Sequence, residues 1–290
     1  MVDTGSGYMN PFDSGILKFV NSFAGHSETF DALIVLISDN ILIKGALFGV
    51  LFWWAWFRRS DDDAVKRRTI LLSGYVSSLF GIVLARVIAH LMPFRERPLR
   101  SPELHMFLPD SFSRSTLHDW SAFPSDHAAL FFALATTLFI VWRRAGIIAF
   151  FFSGIVICLP RIYLGLHHPT DIIAGAVTGI LVAYFATRKK VLSIVASPAL
   201  QHMDAHPGAF YGMVFFLTYL LATVCEPTPS ILRMAIRVVQ AVLSRLGFPL
   251  LFRSGPQSIV EPLAGVILFA AILLVGFWVR YRSKQAAPKV

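Results

Sequence analysis

Residues 160–171 read Pro160-Arg161-Ile162-Tyr163-Leu164-Gly165-Leu166-His167-His168-Pro169-Thr170-Asp171. The stretch lies between two long apolar runs, so it reads as the short polar connection where two helices meet. It sets an arginine near the end of one run, a histidine in the connection and an aspartate at the start of the next run. Arginine presents a planar fork of donors suited to phosphate oxygens. A histidine nucleophile needs one ring nitrogen free and an acceptor for the other, a role open to Asp171. Asp171 has a second reading as the N-cap of the run after Pro169 and Thr170. The two roles are compatible. His168 has no distinct assignment and is read as a loop residue.

Working outward, the 290-residue chain is 56% hydrophobic and only 15% charged, with a mean hydropathy of +0.64. A soluble domain of this length would carry more charge, so lipid is part of its solvent. The net charge is +9. Its basic residues fall between apolar runs, as in the cytoplasmic loops of membrane proteins, so no nucleic-acid partner is expected. Cys158 and Cys225 sit inside apolar runs, where packing is the simpler role, and no paired-cysteine metal spacing occurs. The first residues lack a basic leader and a cleavage signal, so no cleaved signal peptide is expected.

Seven apolar runs are candidate spans: Ile41–Phe57, Ile70–Met92, Asp126–Trp142, Ala145–Gly165, Asp171–Thr187, Phe210–Cys225 and Ile259–Val279. Several are near the short end of the ~17–25 residues a span needs, which gives an all-α integral membrane bundle of about six to seven spans. The first run can begin near Phe30, with Ser38-Asp39-Asn40 interrupting it. Phe12–Ala24 reads as an amphipathic helix, lying on the membrane surface or packed on the bundle. The expected organisation is an interfacial segment over 1–40, a catalytic core over 41–187 and a linker over 191–208 with Pro198 and Pro207. A C-terminal part over 209–290 follows, a hairpin with an amphipathic helix at Ser230–Leu246 and a basic tail. Basic clusters at Arg58-Arg59, Lys66-Arg67-Arg68, Arg143-Arg144, Arg188-Lys189-Lys190 and Arg280 to Lys284 fall on alternate connections, which puts those connections in the cytoplasm. Connections 93–125, 166–170 and 226–258 then face outward, although 93–125 also carries Arg95, Arg97, Arg100 and Arg114.

Polar residues of one chemistry gather at the outward ends. His90 and Arg97-Pro98 lie at or past the end of the second run, and Pro124-Ser125-Asp126-His127 opens the third. A helix start has amides without helical partners and binds anions, Ser125 adds a hydroxyl, and His127 can protonate a leaving oxygen. Plain capping is the alternative for Ser125 and Asp126. Arg97, His127, Arg161, His167 and Asp171 come from four run ends, all on one side of the charge-based topology. Scattered core residues would not be expected to do so.

Together these segments resemble the PAP2 (type 2 phosphatidic acid phosphatase) superfamily, whose motifs are K-x6-R-P, P-S-G-H and S-R-x5-H-x3-D. Here they read His90-x6-Arg97-Pro98, Pro124-Ser125-Asp126-His127 and Pro160-Arg161-x5-His167-x3-Asp171. The resemblance spans 90–171 in the motifs and 30–187 in the helix pattern. It implies a PAP2-type transmembrane bundle and hydrolysis through a phosphohistidine, with neither metal nor cofactor. His167 would attack phosphorus, Asp171 orient it and His127 protonate the leaving group. Arg97, Ser125 and Arg161 would hold the phosphate, with His90 and Asp126 at the remaining motif positions of that phosphate site. His90 stands where the family has lysine and is a weaker anion ligand, for which Arg95 or Arg86 can compensate. Asp126 replaces glycine, a form similar to that of bacterial undecaprenyl pyrophosphate phosphatases, and Pro160 replaces serine.

The implied substrate is a lipid phosphate or pyrophosphate, undecaprenyl pyrophosphate first. It would be met at the periplasmic, extracytoplasmic face of a bacterial cytoplasmic membrane. Transfer of the phosphate to another lipid stays open. So do a non-catalytic lipid binder or transporter and a homo-oligomer. Gly175 and Gly179 form a G-x-x-x-G read as packing within the bundle, with dimerisation the lesser reading. The aromatic run Phe52–Phe57 reads as a belt at the interface. Loop 99–123, with Glu103, His105, Asp110, His118 and Asp119, is expected to flank the site.

Overall fold

The protein is described by a computed structural model over residues 10–58, 64–110, 112, 121–188, 200 and 203–223. Its helices are α1 (Pro11–Asn21), α2 (Glu28–Asp39), α3 (Ile41–Phe57), α4 (Ala64–Leu91), α5 (Asp126–Val141), α6 (Arg143–Phe152), α7 (Leu159–Tyr163), α8 (Pro169–Ala186) and α9 (Pro207–Thr223). Local chemistry sets several starts. The side chains of Asn10, Ser27, Asn40 and Ser125 each accept a first-turn amide, from Phe12, Phe30, Ile43 and Ala128 respectively. Asn40 ends α2 as well as starting α3, so the polar interruption at 38–40 is a 54° bend between two helices.

Three helical stretches are long and apolar enough to cross a membrane: Ala64–Leu91, Arg143–Tyr163 and Pro169–Ala186. The bent pair α2 and α3 makes a fourth if it counts as one span. The chain is therefore an all-α protein with three to four candidate spans among the described residues. Helix α5 is shorter, at 16 residues, and takes the centre of the bundle. It packs on α4, α6 and α8, and most of its residues are buried. The run Ile259–Val279, the helix Ser230–Leu246 and most of the 191–208 linker lie outside the described residues.

Two boundaries differ instructively from the apolar runs. Helix α4 begins at Ala64 rather than Ile70. Its first turns carry Arg67, which is buried and donates to the Ala55 carbonyl at 2.8 Å and to the Arg58 carbonyl. Those charges satisfy the end of α3, whose last carbonyls have no helical donors. The stretch Arg143–Tyr163 is one rod with a π-helical segment at Ser153–Cys158. Pro160, just beyond it, has no N–H for the Val156 carbonyl, and the wider turn accommodates that gap in the ladder. The aromatic run splits between core and surface. Phe52 and Trp56 are buried, against Tyr75 and Phe210, while Trp54 and Phe57 are exposed as a belt requires.

Small residues set how the helices meet. A Cβ on Gly175 would stand 2.2 Å from the Ser125 carbonyl oxygen, and one on Gly179 would stand 2.2 Å from that of Ala129. The G-x-x-x-G is thus a seam inside the bundle, where the α8 backbone lies against α5. Its register makes α8 parallel to α5. Gly74 against Thr137 with Gly81 against Ala129 makes α4 antiparallel to α5, and Gly146 against Phe139 with Ser153 hydrogen-bonded to the Phe131 carbonyl makes α6 antiparallel to it. The end of α4, the starts of α5 and α8, and the end of α7 therefore gather at one end of the bundle.

Candidate active site

That shared end holds the residues the motifs single out. Arg97 follows α4 in extended backbone, and its Nη1 donates to the Leu166 carbonyl at 2.6 Å. The Leu99 amide donates to the Gly165 carbonyl at 2.9 Å. Gly165 has φ +63, and a Cβ there would meet the Leu99 nitrogen at 2.9 Å. Glycine is the residue that tolerates both conditions, and it docks the post-α4 strand of chain against the α7–α8 connection. The Ser125 amide donates to the Asp171 carbonyl at 3.0 Å, joining α5 to α8.

His167 is buried in that connection. Its Nδ1–H donates to the Ala122 carbonyl at 2.8 Å, which leaves Nε2 with the lone pair and no partner. Burial, then the positive charges of Arg97 and Arg161, hold its basicity well below the ordinary histidine value. The tautomer with a free Nε2 is thus set, but by a backbone carbonyl. Asp171, expected to make that contact, lies 3.9 Å from Nδ1. Its oxygens are engaged elsewhere: Oδ2 accepts the His168 amide at 2.7 Å and Oδ1 accepts from Arg95 at 2.5 Å. Nor is Asp171 the N-cap. His168 is the N-cap of α8 and Asp171 the third helical residue, reaching back to the cap amide. His168 itself is buried, with Nε2 3.1 Å from the Glu96 carbonyl, rather than a loose loop residue.

His127, in the first turn of α5, is 2% exposed, and its Nε2 also has no partner. Its Nδ1 is 3.0 Å from Asp126 Oδ1. Asp126, expected among phosphate ligands, is instead the partner of His127, and its other oxygen pairs with Arg86. A carboxylate so placed repels phosphate but stabilises an imidazolium. The start of α5 is also less open to an anion than a bare helix end. The His127 amide goes to Asp126 and that of Ala128 to Ser125 Oγ. Ser125 is fully buried and caps the helix, with its O–H still able to donate.

His90 does not join this group. It is exposed at the last turn of α4. Arg86, one turn earlier, is the residue of α4 that reaches the site, through Asp126. Arg97 and Arg161 are 5% and 7% exposed, and the Nε of each has no partner. Burial and the nearby Arg161 charge push Arg97 down to about 10, so its guanidinium stays charged at neutral pH. Two buried like charges, each with an unpartnered Nε–H, leave a concentration of donors suited to an anion beside the two free imidazole nitrogens.

Two contributors were not evident from the motifs. Asp13 of α1 is fully buried, accepting the Thr170 amide at 2.9 Å, the Thr170 hydroxyl at 2.7 Å and Arg95 Nη2 at 2.7 Å. Burial alone would raise its carboxyl, but the Thr170 donors and then Arg95 hold it below its ordinary value. Arg95 thereby bridges Asp13 and Asp171. Lys44 of α3 is also buried. A buried lysine in an apolar run is a detectable signal, whereas Asp13 looks like an ordinary first-turn acid. Among the loop residues expected to flank the site, Glu103, His105 and Asp110 are exposed, and His118 and Asp119 lie outside the described residues.

Comparison with known proteins follows the same segment. The model of the PAP2 superfamily matches residues 75–193. The undecaprenyl-diphosphatase BcrC of Bacillus subtilis (strain 168) is 24% identical over 173 residues, covering 60% of this chain and 81% of that protein. The bacitracin transport permease protein BcrC of Bacillus licheniformis is 22% identical over 172 residues, 58% and 75% of the two chains. The lipid A 1-diphosphate synthase of Escherichia coli (strain K12) is 29% identical over 190 residues, 61% and 75%. No solved structure matches with significance. The matched segment holds Arg97, Ser125, His127, Arg161, His167 and Asp171, and it is over this segment, residues 75–193, that the chain matches the PAP2 superfamily.

Proposed function

We propose that this protein is a membrane phosphatase that removes phosphate from a lipid phosphate or pyrophosphate, undecaprenyl pyrophosphate first, by way of a phosphohistidine. The observation that carries the reading is the pair of buried, unpartnered Nε2 atoms of His167 and His127 beside the buried guanidiniums of Arg97 and Arg161. His167 Nε2 attacks phosphorus as the bond from phosphorus to the leaving oxygen breaks, and His127 gives that oxygen a proton from its own Nε2. Asp126 stabilises the imidazolium that this duty needs. Water then attacks the phosphohistidine, the N–P bond breaks and His127 takes the proton back. Arg97 and Arg161 stabilise charge on the non-bridging oxygens, where phosphoryl transfer needs it most. Relatives named as undecaprenyl-diphosphatases support the choice of a polyprenyl pyrophosphate.

The test is phosphate release from undecaprenyl pyrophosphate and from phosphatidic acid by detergent-solubilised protein, with EDTA present. Release is expected to vanish in His167→Ala and to be indifferent to EDTA. Equal release by the variant would overturn the histidine mechanism. The relative named lipid A 1-diphosphate synthase favours a second reading, in which another lipid takes the phosphate in place of water. Labelled phosphate appearing on an added acceptor lipid, with none released, would establish it.

A further inference from the structure

The site already described has a support that comes from outside the family-matched segment. Helix α1 is amphipathic in an unusual sense. Phe12 and Phe19 are exposed, Leu17 is fully buried, and the residue one turn before Leu17 on that inner face is an aspartate. An apolar residue at 13 would anchor the helix more simply, because burying a carboxylate is unfavourable unless every oxygen finds donors. The donors Asp13 finds belong to the site: the amide and hydroxyl of Thr170, next to Asp171, and the guanidinium that holds Asp171 itself. Arg95 donates from Nη1 to both Thr170 Oγ1, at 2.8 Å, and Asp171 Oδ1, at 2.5 Å.

We propose that Asp13 and Arg95 are positioning residues for the phosphotransfer: α1, through Asp13, sets the Arg95 guanidinium and the first turn of α8, and these fix the Asp171 carboxylate beside His167. The chain of contacts is continuous. Asp13 fixes Arg95 Nη2, Arg95 Nη1 fixes Asp171 Oδ1, and the His168 amide fixes Oδ2. The carboxylate is then held at 3.9 Å from His167 Nδ1, near enough to stabilise the charge that develops on the ring when Nε2 bonds to phosphorus. Neither Asp13 nor Arg95 touches the reacting atoms. Loss of Asp13 would leave Arg95 with one carboxylate partner and Thr170 with two unanswered donors, so Asp171 and the His167 connection would lose their reference point.

The inference rests on the phosphohistidine reading, and the experiment separates the two. Undecaprenyl pyrophosphate labelled in its terminal phosphate is mixed with detergent-solubilised enzyme, and the rate and the stoichiometry of acid-labile phosphoenzyme are measured by rapid quench. Asp13→Asn, which keeps the shape and loses the charge, is expected to form phosphoenzyme at near wild-type stoichiometry but on the order of 10- to 100-fold more slowly, the scale of a small misplacement at a reacting centre. Asp13→Glu should recover part of that rate. Arg95→Ala should be slowed similarly and accelerated by millimolar guanidinium, since its side chain is 30% exposed and the vacated space opens to solvent. A purely structural role would lower the stoichiometry and leave the rate of the remaining active fraction unchanged. That result overturns the proposal, as does a wild-type rate in Asp13→Asn. Absence of phosphoenzyme in the wild type would instead overturn the phosphohistidine mechanism on which the proposal stands.

Discussion

His167 can attack only while Nε2 carries a lone pair, and its surroundings secure that in two ways. The Ala122 carbonyl takes the Nδ1 proton, and burial beside Arg97 and Arg161 opposes a second one. The rate of phosphoenzyme formation should therefore hold as pH falls through 6.5, where an ordinary histidine would be half protonated. The same groups give stability a pH dependence with a definite sign. His167 and His168 are both depressed in the folded protein, the second by burial and then by Arg95. Below about 6.5 the unfolded chain binds protons that the folded one refuses, so their contribution is complete above that pH and declines below it. The melting temperature should fall as pH drops from 6.5 towards 5, and His168→Asn should blunt the fall; a flat profile in the wild type would count against it. What could be read from sequence at this scale was residue type and order. Which turn of α4 faces the site was left open: the motif position fell to His90, with Arg86 or Arg95 as substitutes, and the helix presents Arg86. Asp13 was hidden for another reason: its partner Thr170 is 157 residues away, and no local pattern encodes that pairing.

Between helices, α8 and α5 meet so closely that the site depends on the absence of two side chains. A methyl group on Gly175 would press on the Ser125 carbonyl, at the turn that carries Ser125 and His127, whereas one on Gly179 would press on Ala129, a turn deeper. Overpacking of either kind destabilises by about 1–3 kcal/mol. Gly175→Ala and Gly179→Ala are expected to lower the melting temperature comparably, but Gly175→Ala should lose much more activity per degree lost. Equal activity at matched loss of stability would show that the seam carries no information to the site. This packing was visible in the spacing of small residues, just as most helices were visible in the apolar runs. The π segment ahead of Pro160 and the first turns of α4 were not. Proline marks a break without fixing how the helix absorbs it, and the charges of Lys66 to Arg68 hid a helix whose Arg67 serves the end of α3.

At the scale of the molecule, helix register gives the bundle two chemically different ends. One gathers Arg97, His127, Arg161, His167 and Asp171, and the other has Arg58, Arg67, Arg143 and Arg188 at the helix ends. Both carry arginines, so a count of charges along the sequence is in tension with itself. Folding changes the weights. Arg86 is paired with Asp126, Arg95 with Asp13 and Asp171, and Arg97 is buried against the Leu166 carbonyl. These charges are answered within the protein, while exposed Arg188 at the end of α8 represents the solvent-facing kind that governs orientation. The site is therefore expected to face outward, where a lipid head group on the extracytoplasmic leaflet meets it. Single cysteines placed by Glu103→Cys, in the exposed turn after Arg97, and Arg188→Cys, past the end of α8, would be probed with a membrane-impermeant maleimide in intact cells, after Cys158 and Cys225 are replaced by serine. Labelling of position 103 without permeabilisation, and of position 188 only after it, is the expected result. The reverse pattern would place the site in the cytoplasm, where it would meet lipid phosphates of the inner leaflet and the periplasmic polyprenyl substrate would be excluded.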